Sequence, residues 1–396
     1  MKILHVNTSD VGGAATACRR IHLGLLSAGI DSKMLVLRKT KNIPECYQFK
    51  KTVIVKSFWQ RIYNKGLCVV GLNKSNKTGS LKKHKDVEIF TSPISSYDIT
   101  EHPLYKEADI IQLNWVSGFL DEPSFFKKNN KPVIWRMADL YACGGGNHYE
   151  KNFPFHEYTK ELNENIKIRK DSLLDKSIVF VAISNWVLQK SNQSLIINNF
   201  PKKMIHNGVD FNIFKPLNKQ FAREVFNLPL DKKILLIGAD VISNKRKGFD
   251  LALEALKQFN SDDIQIVVFG NTIDLIDNKF IHIDEIYDEK LLAVLYSSAD
   301  FFIMPSIEEA FGQVTIEALA CGVPIVSFPN GGSLDIVRDE INGILAKDFT
   351  SYELSNAIQR ALLISFNQNK IIKDVKDRFN IHEKAQEYIQ LYKTII

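Results

Sequence analysis

The sequence is poor in cysteine and has no long hydrophobic run. Its five cysteines are scattered, and none forms a C-x-x-C pair. This excludes a disulfide framework and a zinc ribbon, and we expect the thiols to pack as small apolar groups. No apolar stretch approaches the roughly 20 residues that cross a bilayer, and the apolar N-terminal run is too short for a signal peptide. We therefore expect a cytoplasmic protein.

Compositional bias is also lacking. Hydrophobic residues make up 45% of the chain and charged residues 24%. These values are close to the globular average and argue against a disordered, collagen-like or coiled-coil chain. At roughly 150 residues per domain, 396 residues predict two or three domains.

One stretch contains no acidic residue at all. Residues 50–85 carry ten Lys or Arg and no Asp or Glu, although the net charge of the whole chain is only +6. Aromatic and aliphatic residues are interleaved with these charges, which suits an anionic membrane surface or an acidic or lipid-phosphate acceptor. A solvated insertion is the equal alternative. No nucleic-acid-binding motif accompanies the charge, so nucleic acid is not an expected partner. The expected location is the cytoplasm, with a peripheral place on the inner face of the cell membrane left open.

The order of apolar runs predicts two α/β units. The chain opens with a β-α-β pattern, in which an apolar run at 3–6 leads through Gly12-Gly13 into a helical period over 14–28. This pattern predicts a parallel sheet with right-handed crossovers. We expect a first domain over 1–204, a second over 205–375 and a C-terminal helix over 376–396. The predicted strands are 3–6, 34–37, 110–113, 133–137 and 178–183, then 234–237, 266–269, 281–283, 301–304 and 325–328.

The segment 305–324 carries the chemistry. It follows a predicted strand, and Gly312 precedes a predicted helix whose free N–H groups suit a diphosphate. Glu309 and Glu317 are placed so that each carboxylate can accept hydrogen bonds from vicinal sugar hydroxyls. Carboxylates are poor partners for phosphates, so a cation must lie opposite. The run Lys245-Arg246-Lys247-Gly248 supplies one.

Glu309 and Glu317 stand in the pattern P-S-x-x-E-x-F-G…E-A-x-A-C-G-x-P, which resembles the signature of retaining glycosyltransferase family 4, in the glycosyl transferases group 1. Four further segments match in the expected order. They are Gly12-Gly13-Ala14, His206-Asn207-Gly208-Val209-Asp210, Arg246-Lys247-Gly248-Phe249-Asp250, and Gly331-Gly332 with Asp335-Ile336-Val337. The resemblance implies the GT-B fold, in which two Rossmann-like doubly wound domains face a cleft and a C-terminal helix packs back on the N-terminal domain.

The resemblance also implies roles for individual residues. Glu309 would contact the transferred sugar, and Glu317 would hold the nucleotide ribose. Lys247, helped by Arg246, would neutralise the departing diphosphate. The remaining donor contacts would come from backbone at Gly12, Gly13, Phe311 and Gly312, and the base would lie near the loop after Phe269 and the segment 283–286. The family needs no metal or other cofactor, and the expected donor is a UDP- or GDP-sugar.

One position departs from the family pattern. In the subgroup that this chain resembles, the strand at 133–137 leads into a His-Asp pair and then a Gly-Gly-x-His-Tyr segment. Here Asp139, His148 and Tyr149 match, but Ala138 stands in place of the histidine that touches the donor sugar in the family. We therefore assign Asp139 a catalytic role and His148 and Tyr149 acceptor or sugar contacts. The absent histidine leaves open a different donor sugar, replacement by Asp139 or His148, or weak activity.

These features predict a retaining glycosyltransferase. It would move a sugar from a nucleotide diphosphate to a saccharide or lipid-linked saccharide acceptor, in bacterial surface polysaccharide synthesis. The absence of an obvious nucleophile suggests front-face attack. The alternatives are a catalytically weakened or repurposed sugar-nucleotide-binding protein, and a sugar-nucleotide epimerase of the same fold.

Overall fold

The computed structural model describes residues 1–50, 89–239, 244–259, 263–271 and 280–396. Apart from Lys50, the predicted basic insertion at 50–85 lies outside the described residues. Within these ranges the chain forms two parallel sheets, one of seven strands and one of six. Among the described residues, no helix is both long enough and apolar enough to cross a membrane.

The first sheet has the order β3-β2-β1-β4-β5-β6-β7 and is parallel throughout. Its central strands are almost fully buried because helices cover both faces. The strands are β1 Lys2–Ser9, β2 Asp31–Arg38, β3 Cys46–Gln48, β4 Ile110–Leu113, β5 Val133–Met137, β6 Ile178–Ala182 and β7 Lys202–Met204. The helices are α1 Gly13–Ser27, α2 Pro103–Glu107, α3 Glu122–Lys128, α4 Thr159–Leu173 and α5 Asn185–Gln193.

The second sheet has the order β10-β9-β8-β11-β12-β13 and is also parallel. Its strands are β8 Lys233–Ala239, β9 Ile264–Gly270, β10 Ile281–Ile283, β11 Phe301–Met304, β12 Ile325–Ser327 and β13 Gly343–Leu345. The helices of this half are α6 Lys219–Val225, α7 Phe249–Leu256, α8 Glu289–Ser298, α9 Gln313–Ala320, α10 Gly331–Ile336, α11 Ser351–Leu363 and α12 Gln368–Phe379. Both sheets are doubly wound, so the predicted fold class is confirmed.

The last helix, α13 Ile381–Lys393, returns to the first domain. It packs on α1, and Tyr388 and Tyr392 are buried in one cluster with Ile3 and Ile21. The chain crosses at Gly208, where a Cβ would lie 2.7 Å from the Cα of Ile381. This close backbone approach explains the glycine.

The structure differs from the sequence prediction in three short edge strands and one boundary. Strands β3, β7 and β13 were not predicted, because each has three residues and no alternating pattern long enough to recognise. The expected boundary at 375 lies inside α12, and the chain turns back at Asn380, between α12 and α13.

Each sheet changes its strand order at one point, between β1 and β4 in the first and between β8 and β11 in the second. In doubly wound sheets ligands bind at the carboxyl ends of the strands beside this switch. Gly12-Gly13 follows β1, the run 245–247 follows β8, and the segment 305–312 follows β11. The predicted motifs therefore meet at the two switch points.

Candidate active site

The loop after β1 presents two glycines with different physical requirements. Gly12 has φ +94°, a conformation that strains any residue with a Cβ. Gly13 begins α1 without a positive φ, and a Cβ at either position would meet nothing within 4 Å. Packing within the protein therefore gives no reason for glycine at position 13. Open space beside the first turn of a helix suits a ligand that approaches the backbone closely.

Lys247 and Glu309 face each other across two loops that are joined through their backbones. Ile307 donates its N–H to the carbonyl of Arg246 at 2.8 Å. Gly248 is in the left-handed region, and a Cβ there would lie 2.1 Å from the carbonyl oxygen of Pro305. This packing places Lys247 Nζ 2.6 Å from Glu309 Oε2, with about a quarter of the Lys247 side chain exposed. The two side chains predicted to act on the donor thus form one ion pair.

The first turn of α9 has the character of an anion site. Gly312 precedes the helix with φ +96°, and no side chain caps the free N–H groups. Thr315 is 1% exposed, and its hydroxyl has no hydrogen-bond partner among the described residues. The amide nitrogen of Gln313 is buried and unpartnered in the same way. Unused donors beside a helix N-terminus favour a negatively charged oxygen ligand.

Glu317 does not face open space as its predicted ribose contact would require. It is 4% exposed, and Oε1 accepts a hydrogen bond from Arg20 Nη2 at 2.7 Å. Its Oε2 lies 3.3 Å from the hydroxyl of Tyr296. Because Arg20 belongs to α1 of the first domain, a residue from the other domain covers Glu317. A carboxylate has about four acceptor positions, so a ribose could still bind after the domains separate.

The same arginine joins a second glutamate. Glu289 in α8 accepts from Arg20 Nη2 at 2.6 Å and from Arg19 Nη1 at 3.0 Å. Burial alone would raise the pKa of Glu289, but Arg20 and Arg19 outweigh it and lower the pKa to about 2. Arg19, Arg20, Glu289 and Glu317, which we call the arginine clamp, therefore hold the two domains together through charge.

Asp139 and His148 are brought together, but they are engaged with each other. His148 Nδ1 lies 2.7 Å from Asp139 Oδ2, which also accepts from the indole N–H of Trp115 at 2.9 Å. The backbone N–H of Tyr141 binds the other carboxylate oxygen. Burial acts to raise the pKa of Asp139, but His148 and these hydrogen bonds outweigh it and hold the pKa below its usual range. This network fixes the half-buried Trp115 at the carboxyl end of β4.

Arg246, Tyr149 and Phe311 have side-chain contacts within the protein. The guanidinium of Arg246 lies 3.7 Å above the ring of Tyr149 and donates to the carbonyl of Glu308 at 2.8 Å. Through these two contacts Arg246, which is 7% exposed, connects the two domains. Phe311 is buried against Phe379. Its predicted backbone role stays a prediction.

Sequence reasoning missed Arg20, Trp115 and Glu308. Arg20 follows the Gly-Gly pair on α1, but its partners lie almost 300 residues away and no local pattern connects them. Trp115 could be recognised only as a core or cleft aromatic. The expected base position falls partly at 272–279, which lies outside the described residues. Among the described residues, no cluster of three or more His, Cys, Asp or Glu could hold a metal ion.

Known proteins share sequence and fold with this chain. Residues 218–378 match the family model of glycosyl transferases group 1. A glycogen synthase of Alkaliphilus metalliredigens is 29% identical over 221 residues, which are 50% of this chain and 45% of that protein. The chain thus spans about half the length of that curated relative.

Two solved structures share the whole fold. Sucrose-phosphate synthase from Thermosynechococcus elongatus superposes with a TM-score of 0.68 at 18% identity, over 100% of this chain and 99% of that one. Anabaena HepE in complex with UDP and glucose gives 0.67 at 17%, over 99% of both chains. The protein has the GT-B architecture of these glycosyltransferases. Its second half, residues 218–378, is similar to the glycosyl transferases group 1.

Proposed function

We propose that the chain is a retaining glycosyltransferase that takes a sugar from a nucleotide-diphosphate donor. The observation that carries the proposal is the pairing of Lys247 with Glu309 beside the uncapped N-terminus of α9, where the Thr315 hydroxyl is unpartnered. A cation, free N–H groups and an unused hydroxyl suit a diphosphate. The neighbouring carboxylate suits sugar hydroxyls. The match of residues 218–378 to the glycosyl transferases group 1 supports the same reaction class.

Donor binding would exchange one ion pair for another. The diphosphate competes for Lys247 Nζ, which Glu309 holds in the described structure. Once Lys247 turns to the phosphates, Glu309 gains free acceptor positions for the hydroxyls of the transferred sugar. The cation and the helix N-terminus then stabilise the charge that develops on the leaving diphosphate, with no metal expected.

In this proposal the anomeric configuration of the sugar is retained because the acceptor attacks on the face from which the diphosphate leaves. The acceptor hydroxyl attacks on that face and a phosphate oxygen takes its proton, because this proposal uses Glu309 to bind the sugar hydroxyls and assigns no carboxylate as a nucleophile. Asp139 would act here by fixing Trp115, since its own oxygens are engaged. The donor would be a UDP- or GDP-sugar, and HepE was solved with UDP and glucose.

A donor screen tests the proposal. Wild-type protein and the variants Glu309→Gln and Lys247→Met are melted with UDP-, GDP-, ADP- and TDP-sugars, and donor hydrolysis is followed in parallel. A ligand at a hundred times its dissociation constant adds about 2.7 kcal/mol of stability. We expect one nucleotide class to stabilise and turn over, with both variants losing turnover. The exposed Lys257→Met is the matched control, and absence of binding by every donor would refute the site.

A weakened or non-catalytic nucleotide-sugar-binding protein is the second candidate. It is favoured by Ala138, because Asp139 and His148 bind each other and neither takes the place of the absent histidine. In that case a donor binds without turnover in the wild type. Ala138→His would then raise the hydrolysis rate, whereas an already active enzyme would lose activity through crowding of its donor site.

The acceptor is proposed to be a saccharide or lipid-linked saccharide of surface polysaccharide synthesis. The basic segment 50–85 supports this proposal through its charge alone. Flotation with anionic liposomes, with and without neutralised lysines in this segment, tests it. Binding by the wild type alone is the expected outcome, and failure of both forms to float contradicts a membrane position.

A further inference from the structure

A short segment of the first domain, Tyr149-Glu150-Lys151, is seated directly on the second domain. The carboxylate of Glu308 accepts the N–H of Glu150 at 3.1 Å and the N–H of Lys151 at 2.8 Å. Lys151 Nζ also lies 3.7 Å from the ring centre of Phe349. Glu308 is 7% exposed, so this carboxylate is withdrawn from water and depends on these donors. We call the three residues the seat segment.

The residues that hold the seat segment are chain neighbours of the proposed donor residues. The guanidinium of Arg246 lies over the Tyr149 ring, with Nη1 3.7 Å from Glu309 Oε2, and Glu308 binds the segment's backbone, while Lys247 Nζ pairs with Glu309. Arg246 Nη1 also donates to the carbonyl of Glu308 at 2.8 Å. The two contacts to the first domain and the donor pair therefore share one small backbone framework. Arg246 is adjacent to Lys247 in the chain, and Glu308 is adjacent to Glu309. A shift of the seat segment is therefore transmitted to Lys247 and Glu309 through one peptide unit in each case.

Contacts within the first domain fix the position of the seat segment. A Cβ at Gly145 would lie 2.6 Å from the carbonyl of Leu162, and one at Gly146 would lie 2.6 Å from that of Thr91. The side chain of Asn165 donates to the Gly145 carbonyl at 2.7 Å. The ring of His148, directly before the segment, is bound by Asp139. These contacts fix the segment to the first domain, so its position reports where that domain lies.

We propose that Arg246 and Glu308 are positioning residues, which bring Lys247 and Glu309 into their productive arrangement only when the seat segment is in place. They act through their neighbours and do not contact the donor. The inference rests on the proposed function for its catalytic part. Its conformational part concerns only the contact between the two domains.

Glu308→Gln and Tyr149→Leu remove the two halves of the contact. Glutamine has the size of glutamate, but its NH₂ group faces backbone donors where a carboxylate oxygen accepted. Leucine keeps bulk at position 149 and removes the ring under the guanidinium. We expect each variant to lower kcat about tenfold or more, since hydrogen bonds and ring contacts to charged groups are lost. We expect donor affinity, measured by calorimetric titration, to change less than about threefold, because the donor binds the second domain. Tyr149→Phe keeps the ring and should restore kcat.

The controls separate this inference from the proposed function. Glu164→Gln, on an exposed face of α4, should leave kcat unchanged. Small-angle scattering of ligand-free protein should show a larger radius of gyration for Glu308→Gln and Tyr149→Leu than for the wild type and Tyr149→Phe. Equal scattering curves overturn the inference whether or not the protein is active. A donor affinity that falls in step with kcat also overturns it, because it would place these residues at the donor. Failure of the wild type to bind any donor overturns the proposed function instead, and the scattering result still decides the domain contact.

Discussion

Replacing Glu289 by glutamine removes the carboxylate that both arginines of the arginine clamp share. The pKa of Glu289 is about 2 instead of the ordinary 4.5, and its side chain is 17% exposed. At roughly 1.4 kcal/mol for each pKa unit, this difference corresponds to about 3 kcal/mol of stability at neutral pH. Glutamine can still accept one hydrogen bond from Arg19 or Arg20. We therefore expect Glu289→Gln to lower the free energy of unfolding by about 2 to 3 kcal/mol.

The pH dependence of this stability difference tests the prediction more sharply. A carboxyl whose pKa is lowered by folding stabilises the folded state above its unfolded pKa, and this stabilisation is lost as pH falls towards the folded value. The window here runs from 4.5 down to about 2. Urea unfolding of both proteins should show a constant difference at neutral pH and one that is smaller by about 1 kcal/mol near pH 3.5. Glu164→Gln should show neither effect. A difference below about 0.5 kcal/mol at neutral pH, as for an exposed ion pair, would refute a buried clamp.

Three further substitutions probe the site. Gly13→Ala should leave the melting temperature unchanged or slightly higher, because its φ is ordinary and alanine favours helix, but should weaken nucleotide binding about tenfold through its approach to the ligand. Gly12→Ala is the contrast, with a loss of about 1 kcal/mol from its left-handed backbone; equal nucleotide affinity in wild type and Gly13→Ala would argue against phosphates at this loop. Asp139→Asn should cost about 2 kcal/mol and shift the fluorescence of Trp115, because the amide has one acceptor oxygen and cannot serve both the two donors at Oδ2, His148 and the indole, and the Tyr141 N–H at Oδ1. An unchanged melting curve would show that the network does not constrain the fold.

The sequence predicted the sheets well because long buried strands leave a strong local signal. Strands β4, β5 and β11 begin and end where the apolar runs do, and so does the three-residue β10. The edge strands β3, β7 and β13 leave no such signal, since their pairing is decided by neighbours distant in the chain. Gly12 lies in the loop after β1 and Gly312 precedes α9, as the sequence predicts. Both have positive φ values, which favour glycine. Local spacing carries information about helix starts and strand ends, and the structure agrees at those places.

Side-chain partners were harder to predict, and the reason is physical. Lys247 and Glu309 meet because two adjacent loops follow neighbouring strands, which the topology implies. Glu317 and Arg246 have partners from the first domain, and no periodicity within the second domain encodes them. The motifs that a family shares describe contacts to a ligand. Contacts between the two domains depend on how the domains lie relative to each other, and that placement depends on the particular residues of this chain.

The hydrogen bonds between the two domains run mostly in one direction. Carboxylates of the second domain accept these hydrogen bonds, and groups of the first domain or of the connection after it donate them. Besides the arginine clamp and Glu308, Asp335 accepts from the backbone N–H of Asn185 at 2.7 Å and lies 3.1 Å from His206 Nε2. An open second domain would expose these carboxylates around the N-terminus of α9 and weaken its attraction for a diphosphate. Closure surrounds them with donors, so binding of an anion and seating of the first domain should favour each other.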